Sequence, residues 1–224
     1  MFFHSLKGGS GVNSGSPLFF LRCGFKLALI CVFFSFTVYQ PASVKVSPEG
    51  FKMPLIDKLL FEDSVTENQI EFIRKVRTIS DSLHIEPDWL MAVMYSESRI
   101  NPQAVNKRTK ATGLIQIMPR TAKRLKTTHR ELYAMTNVEQ LDYVWKYYKP
   151  YTGRITSPYD LYSITFYPAM IGKPKSWVLH TSTQSAAKVA EYNSGIDLNK
   201  DGKITVSEWH RVLDRKFKKY GLKF

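Results

Sequence analysis

Thiols are nearly absent from this chain: its 224 residues include two cysteines, Cys23 and Cys31, both within the first 42 positions. Without that segment the protein has no thiol and no disulfide, so its fold must stand on its core alone. Acid is missing from the same stretch, where Lys7, Arg22 and Lys26 precede the first carboxylate, Glu49. Strand-like alternation of any length, internal repeats and low-complexity tracts are also lacking, which leaves a mainly α class.

What remains is a globular composition, 44% hydrophobic and 23% charged, on a length that suits one ordinary domain plus an appendage. The 32 Lys and Arg exceed the 19 Asp and Glu, giving a net charge of +13. Such a surplus attracts polyanions, whether nucleic acid, anionic lipid or an anionic wall polymer, and does not choose among them. Removing the first 42 residues takes away three positive charges and no negative ones, so the basic character belongs to the rest.

Residues 27–38 form an apolar run of about a dozen, the size of a signal h-region and short of the roughly 20 needed to span a bilayer. Residues 1–42 therefore read as a signal peptide or N-terminal anchor, with export favoured, although the n-region is long and Pro41-Ala42-Ser43 departs from an A-x-A cleavage site. Ile30-Cys31 lacks the small residue of a lipid-attachment sequence. Residues 43–65 mix Pro, Ser, Lys and short apolar pieces and read as a linker or arm. The working domain is expected over 66–224.

Thr66-Glu67-Asn68-Gln69 has the form of a capping box, and Ile70, Ile73, Val76, Ile79 and Leu83 follow at near-helical spacing. Pro87 suits a first helical turn, with Asp88 favourably placed against the dipole. Further helices are expected over 119–125, over 138–148 on the stripe Leu141, Val144, Trp145 and Tyr148, and over 185–192 and 206–220.

In the second of these helices Glu97 lies four residues after Val93 and seven after Leu90, on the side that should face the core. The ordinary reading is a stripe-edge acid paired with Arg99 or another base. The alternative is a buried carboxyl whose pKa rises until it stays protonated near neutrality, as a glycosidase acid requires. Context favours the alternative. Glu97-Ser98-Arg99-Ile100-Asn101-Pro102-Gln103-Ala104, followed by Ala111-Thr112-Gly113-Leu114-Ile115-Gln116-Ile117-Met118-Pro119, resembles the soluble lytic transglycosylase family in letters and spacing. The resemblance covers residues 67–125 most firmly. It implies a lysozyme-like helical domain with a saccharide cleft, Glu97 as catalytic acid, and Ser98, Gly113, Gln116 and Tyr192 as substrate-binding residues.

The residues have physical roles to match. Ser98 could hydrogen-bond Glu97 and orient it, Gly113 would let a sugar ring approach the backbone, and Gln116 offers donor and acceptor to an N-acetyl group. A turn glycine and a solvated glutamine are the plainer readings of the last two. The family also carries an A-Y-N-A-G element whose tyrosine points at the acid; here the nearest match is Ala190-Glu191-Tyr192-Asn193-Ser194-Gly195, with an inserted Glu191. Its Ala- and Gly-rich central helix is replaced by the aromatic stretch 143–167, which reads as core rather than as sugar platforms.

Residues 197–208 fit the twelve-residue EF-hand loop at every diagnostic position. Asp197, Asn199 and Asp201 supply side-chain oxygens, Gly202 the sharp turn, Lys203 a backbone carbonyl, Thr205 a direct or water-mediated ligand, and Glu208 two oxygens. A single loop argues for structural Ca2+ rather than a sensor, with no cofactor needed for the chemistry.

The expected activity is cleavage of the MurNAc-GlcNAc bond in peptidoglycan glycan strands, giving a 1,6-anhydromuramoyl product by resemblance. One carboxylate suffices for that route, whereas a hydrolytic muramidase needs a second. Glu131, Glu139, Asp142 and Asp160 are available but unmotivated. A non-catalytic, calcium-dependent wall-binding module is the alternative outside enzymes. Nucleic acid binding, prompted by Arg211, Arg215, Lys216, Lys218, Lys219 and Lys223, lacks a motif; that basic helix reads as a solvated face or as attraction to wall polymers. The protein is expected to be a monomer in the periplasm or cell envelope.

Overall fold

A computed structural model describes residues 57–222. The signal or anchor reading of 1–42 therefore lies outside the described residues, among which no helix is long and apolar enough to cross a membrane. Among the described residues eight α-helices follow one another: α1 (Gln69–Leu83), α2 (Pro87–Ser98), α3 (Pro119–Arg124), α4 (His129–Ala134), α5 (Asn137–Tyr148), α6 (Pro158–Phe166), α7 (Ala186–Tyr192) and α8 (Val206–Tyr220). Extended pairing among the described residues is limited to isolated bridges, Val105 with Thr112, Thr112 with Ile117, and Val178 with Thr205. The mainly α class holds.

Helix α2 is the centre. Leu90, Met91, Ala92, Val93 and Met94 are buried in succession, the mark of a helix enclosed on all sides. It packs against α1 and α6, and α1 packs in turn against α5. Pro87 opens α2 at its first turn as expected, and Asp88 accepts a 2.9 Å hydrogen bond from the Leu60 amide. That bond helps dock the end of the 43–65 segment: Leu59 and Val65 are buried, and Phe61 stacks on Tyr95 at 3.7 Å. Over 59–65, therefore, the arm belongs to the core.

The start of α1 differs from the expected capping box. Its N-cap is Asn68, at φ 49° and without a side-chain cap. Asn137, at the head of α5, accepts from the Asn68 carboxamide at 3.2 Å and donates to the Glu67 carbonyl. A contact from 69 residues away thus overrides the local cap. The apolar stripe shifts with it: Phe72, Val76, Ile79 and Leu83 are buried, whereas Ile70 is 77% exposed.

Residues 101–118 form an irregular loop organised by Gln140 of α5. The Gln140 carboxamide donates to the carbonyls of Pro102 and Leu132, each at 2.6 Å, and accepts from the Leu114 amide at 3.0 Å. At the far end of the chain, α8 lays Val206, Trp209, Leu213 and Phe217 onto the core. Trp209 stacks on Phe166 at 4.4 Å, and its indole N–H donates to Ser163 at 3.0 Å. Burying Trp209 and Phe217 stabilises this packing by roughly 2–3 kcal/mol each. Gly221 ends the helix at φ 69°, the left-handed stop that glycine provides without a Cβ clash.

Substituting Gln140→Leu leaves the Leu114 N–H and the Pro102 carbonyl without their partner, while the Leu132 carbonyl keeps the Met135 amide at 3.2 Å, and is expected to lower stability by roughly 3 kcal/mol. Urea unfolding of the variant measures it; a change below about 1 kcal/mol removes Gln140 from its organising role.

Candidate active site

Glu97 occupies the last turn of α2 and is half-buried. The turn that follows it is unusual. Arg99 and Ile100 both adopt left-handed backbone, at φ 60° and 61°, and for a β-branched residue this costs about 1–3 kcal/mol. Surrounding contacts impose it: Arg99 N–H donates to the Tyr95 carbonyl at 3.0 Å, and the Ile100 side chain is buried. The strained turn ends α2 abruptly and sends the chain into the 101–118 loop.

Removal from water raises the pKa of Glu97, while the positive charge of Lys216 on α8 pulls it down. Among the described residues Glu97 forms no ion pair, so the surface-pair reading with Arg99 does not hold. The Arg99 guanidinium lies instead over the Tyr95 ring, 4.4 Å from its centroid. Three phenols register the Glu97 charge, Tyr147 and Tyr148 of α5 and Tyr162 of α6. Burial, with the nearby carboxylate adding to it, pushes Tyr147 up to about 12 and raises Tyr148 and Tyr162 as well. Burial thus keeps three hydroxyls neutral within electrostatic reach of the acid. Tyr147 donates to the Ile164 carbonyl at 2.9 Å, and Tyr148 shares a hydrogen bond with Thr165.

Lys216 was not singled out as a site residue by the sequence, where it reads as one charge in a basic helix. Its ammonium donates to Ser96 Oγ at 2.7 Å and to the Tyr162 hydroxyl at 3.0 Å. Burial pushes its own pKa down, and the Glu97 charge works against that.

Three of the expected substrate-binding residues have other structural work. The Ser98 hydroxyl does not orient Glu97; its acceptors are the carbonyls of Leu114 at 2.9 Å and Met94 at 3.1 Å. It clasps the loop at Leu114 against the end of α2. Gly113, at φ 83°, has a structural reason to be glycine, since an added Cβ would overlap the Gln140 carboxamide and lie 2.9 Å from its Cδ. Gln116 spends its N–H donors within the loop, on the carbonyls of Ala104 at 3.1 Å and Gly113 at 3.2 Å. Its carboxamide oxygen is the part left to receive a substrate donor.

Tyr192 lies on the surface. It is 57% exposed at the end of α7, with the Lys188 ammonium 4.9 Å over its ring. The three tyrosines coupled to the acid, Tyr147, Tyr148 and Tyr162, all come from the 143–167 aromatic stretch. Within that stretch Tyr148 and Tyr162 are fully buried, and Tyr143, Trp145, Tyr159 and Phe166 pack against the core from part-buried positions.

In the 197–208 loop, Gly202 turns at φ 78° and its N–H donates to Asp197 Oδ2 at 3.0 Å. Asn199 Oδ1 accepts from the Asp201 amide at 3.1 Å, and Asp201 Oδ1 from the Lys203 amide at 2.9 Å. Glu208 is 3% exposed. Burial works to raise its pKa, but hydrogen bonds from Thr205, Asn199 and Leu198 outweigh it and hold the carboxylate below its usual range. Asp197 Oδ1 is buried with no hydrogen-bond partner. Among the described residues no three His, Cys, Asp or Glu side chains gather into a metal-holding group.

Residues 75–154 match the Transglycosylase SLT domain. The match takes in Glu97, the 101–118 loop and α5, ends before α6, and includes neither the 197–208 loop nor α8. This domain is lysozyme-like and belongs to peptidoglycan-acting enzymes. No curated protein and no solved structure matches the chain.

A carboxyl whose pKa is raised on folding binds its proton more tightly in the native state, so its ionisation weakens the fold as pH rises above the usual carboxylate range. Glu97→Gln is expected to melt above the wild type at pH 7, with the difference fading at pH values where the wild-type carboxyl is protonated. Thermal melts across pH measure this, and a variant less stable at pH 7 contradicts it.

Proposed function

We propose that this chain is an exported peptidoglycan lytic transglycosylase with Glu97 as its acid and base. The protonated carboxyl gives its proton to the oxygen bridging MurNAc C1 and GlcNAc C4 as the C1–O bond breaks. The resulting carboxylate then takes the proton of the muramoyl C6 hydroxyl as that oxygen bonds to C1. This closes the 1,6-anhydro ring and returns Glu97 to its starting state. The observation that carries the reading is a half-buried, unpaired carboxyl of raised pKa, at the end of α2 within the SLT match.

Single-carboxylate chemistry is favoured over hydrolysis because the other candidate acids are committed elsewhere. Glu131 and Glu139 close capping boxes on α4 and α5, Asp142 pairs with Lys75 at 2.8 Å, and Asp160 accepts from Thr156 and Ser157. None of them registers at Glu97, where the charge felt is that of Lys216. A hydrolytic muramidase would need one of them to hold water or attack C1.

Ca2+ in the 197–208 loop completes the reading. Asp197, Asn199, Asp201 and Glu208 would hold it through side-chain oxygens, Lys203 through its carbonyl, and Thr205 directly or through water. The unpartnered Asp197 Oδ1 fits a bound cation. Thr205 and Glu208 also cap α8, so an ion here would steady the helix that carries Lys216. An exported protein acting on the wall meets calcium in those surroundings.

Mass spectrometry of digested peptidoglycan tests the chemistry: 1,6-anhydromuropeptides are expected from the wild type and none from Glu97→Gln, whereas reducing-end products assign a hydrolase. Chelation is expected to lower both melting temperature and lytic rate, with Ca2+ restoring them; no change in either overturns the calcium assignment.

A further inference from the structure

A cavity of about 580 Å³ lies on the α8 side of α2. Arg99, Arg215, Lys216 and Lys219 line it, and no acidic residue does. None of the four takes part in an ion pair among the described residues. Lys216 is only half-exposed and fixed by Ser96 and Tyr162, so it cannot swing out to water. Four cations gathered with no acid in the lining, only Lys216 feeling the charge of Glu97 from outside it, repel one another, and the arrangement becomes favourable when an anion enters.

The opposite wall is rigid and aromatic. Phe61 and Tyr95 stack with an interplanar angle of 1°, and Tyr220 meets them edge-on at 4.9 and 5.6 Å. A cationic rim over an apolar floor suits a ligand that is part aliphatic and part anionic. Location narrows the class further. Glu97 is not in the lining, but its neighbours at the end of α2, Ser96 and Arg99, are, and Lys216 is hydrogen-bonded to Ser96 at 2.7 Å, so the cavity opens within a helical turn of the proposed acid. On a peptidoglycan strand, the group next to the scissile muramoyl bond is the peptide stem, with aliphatic side chains and free carboxylates. Arginine forks match carboxylates bidentately.

We propose that this cavity is a peptide-stem site, in which Arg99, Arg215, Lys216 and Lys219 bind stem carboxylates while the glycan lies against Glu97. The inference rests on the peptidoglycan reading above and deepens it. Arg215, Lys216 and Lys219 come from α8, outside the SLT match, while Arg99, Tyr95 and Ser96 come from within it, so the site joins the matched residues to the helix beyond them.

Isothermal titration of the full chain carrying Glu97→Gln tests it without cleavage. The probes are a muramyl tetrapeptide with free carboxylates, the same compound with its carboxylates amidated, and inorganic phosphate. The free-acid compound is expected to bind about tenfold or more tightly than the amide, and to lose about tenfold or more in Arg215→Gln/Lys219→Gln, with circular dichroism showing that variant folded. Equal binding of acid and amide overturns the proposal. So does undiminished binding by the folded double variant, or phosphate binding as tightly as the peptide, which marks a generic anion site. Because cleavage is not read, absent anhydro products in the digestion would sink the transglycosylase reading alone, whereas these outcomes sink the stem site alone.

Discussion

A carboxyl group drawn partly out of water at the end of α2 sets the terms for what surrounds it. Burial alone would hold its proton too firmly for service as a base; a direct pair with Arg99 would leave it ionised throughout. Neither extreme is realised. The Arg99 guanidinium is engaged by the Tyr95 ring, and Lys216 acts on the carboxyl without a direct ion pair, its own hydrogen bonds going to Ser96 and Tyr162. Opposed influences of this kind suit a group that must give up a proton and recover one in a single cycle.

The same tyrosines serve as core and as site wall. Tyr147 and Tyr148 tie α5 to α6 through Ile164 and Thr165, and Tyr162 ties α6 to α8 through Lys216. Because burial keeps these phenols neutral, they can crowd an ionisable carboxyl without adding charge. The aromatic stretch, read from the sequence as core, accordingly packs its large rings into the interior or against it. The left-handed Arg99-Ile100 turn is stable for a related reason. Ser98 fastens one side of it to Leu114, and Gln140 fastens the loop beyond it to α5, so the strain is held by bonds made elsewhere.

How far this was legible in the sequence depended on whether the determining contact was local. Pro87, the stripe of α5 and the start of α8 carried their own signals, and those helices form where periodicity puts them. Glu97 was legible because its position on the buried side is a property of one helix. The start of α1 was not, since Asn137 governs it from 69 residues away. Helix α4 spans six residues, too few for a period to emerge, and only its Thr128 and Glu131 capping box marks it. Helix α6 was hidden in a run of aromatics with no clear polar face. Ser98 and Gly113 were given substrate roles from their nearness to Glu97 in the motif, but their partners, Leu114 and Gln140, lie 16 and more residues on. Lys216 is 120 residues from Ser96, and nothing in a basic helix distinguishes the one lysine that turns inward.

That lysine places part of the site's electrostatics outside the matched domain. The SLT match ends at residue 154, yet the positive charge acting on Glu97 arrives on α8. Where α8 begins is decided by the 197–208 loop: Thr205 caps the helix, Glu208 closes the box, and Ile204 is pinned through its carbonyl to the Leu179 amide at 2.8 Å. From Glu208 to Lys216 is about 12 Å along one helix at 1.5 Å per residue. Trp209 and Phe217 hold the interval between them to α6. A displacement at the loop therefore cannot be absorbed before it reaches the ammonium. The residues that shape the loop and those that tune the carboxyl act on a single rigid element, and a domain cut at residue 154 would keep the carboxyl while losing the charge that balances its burial.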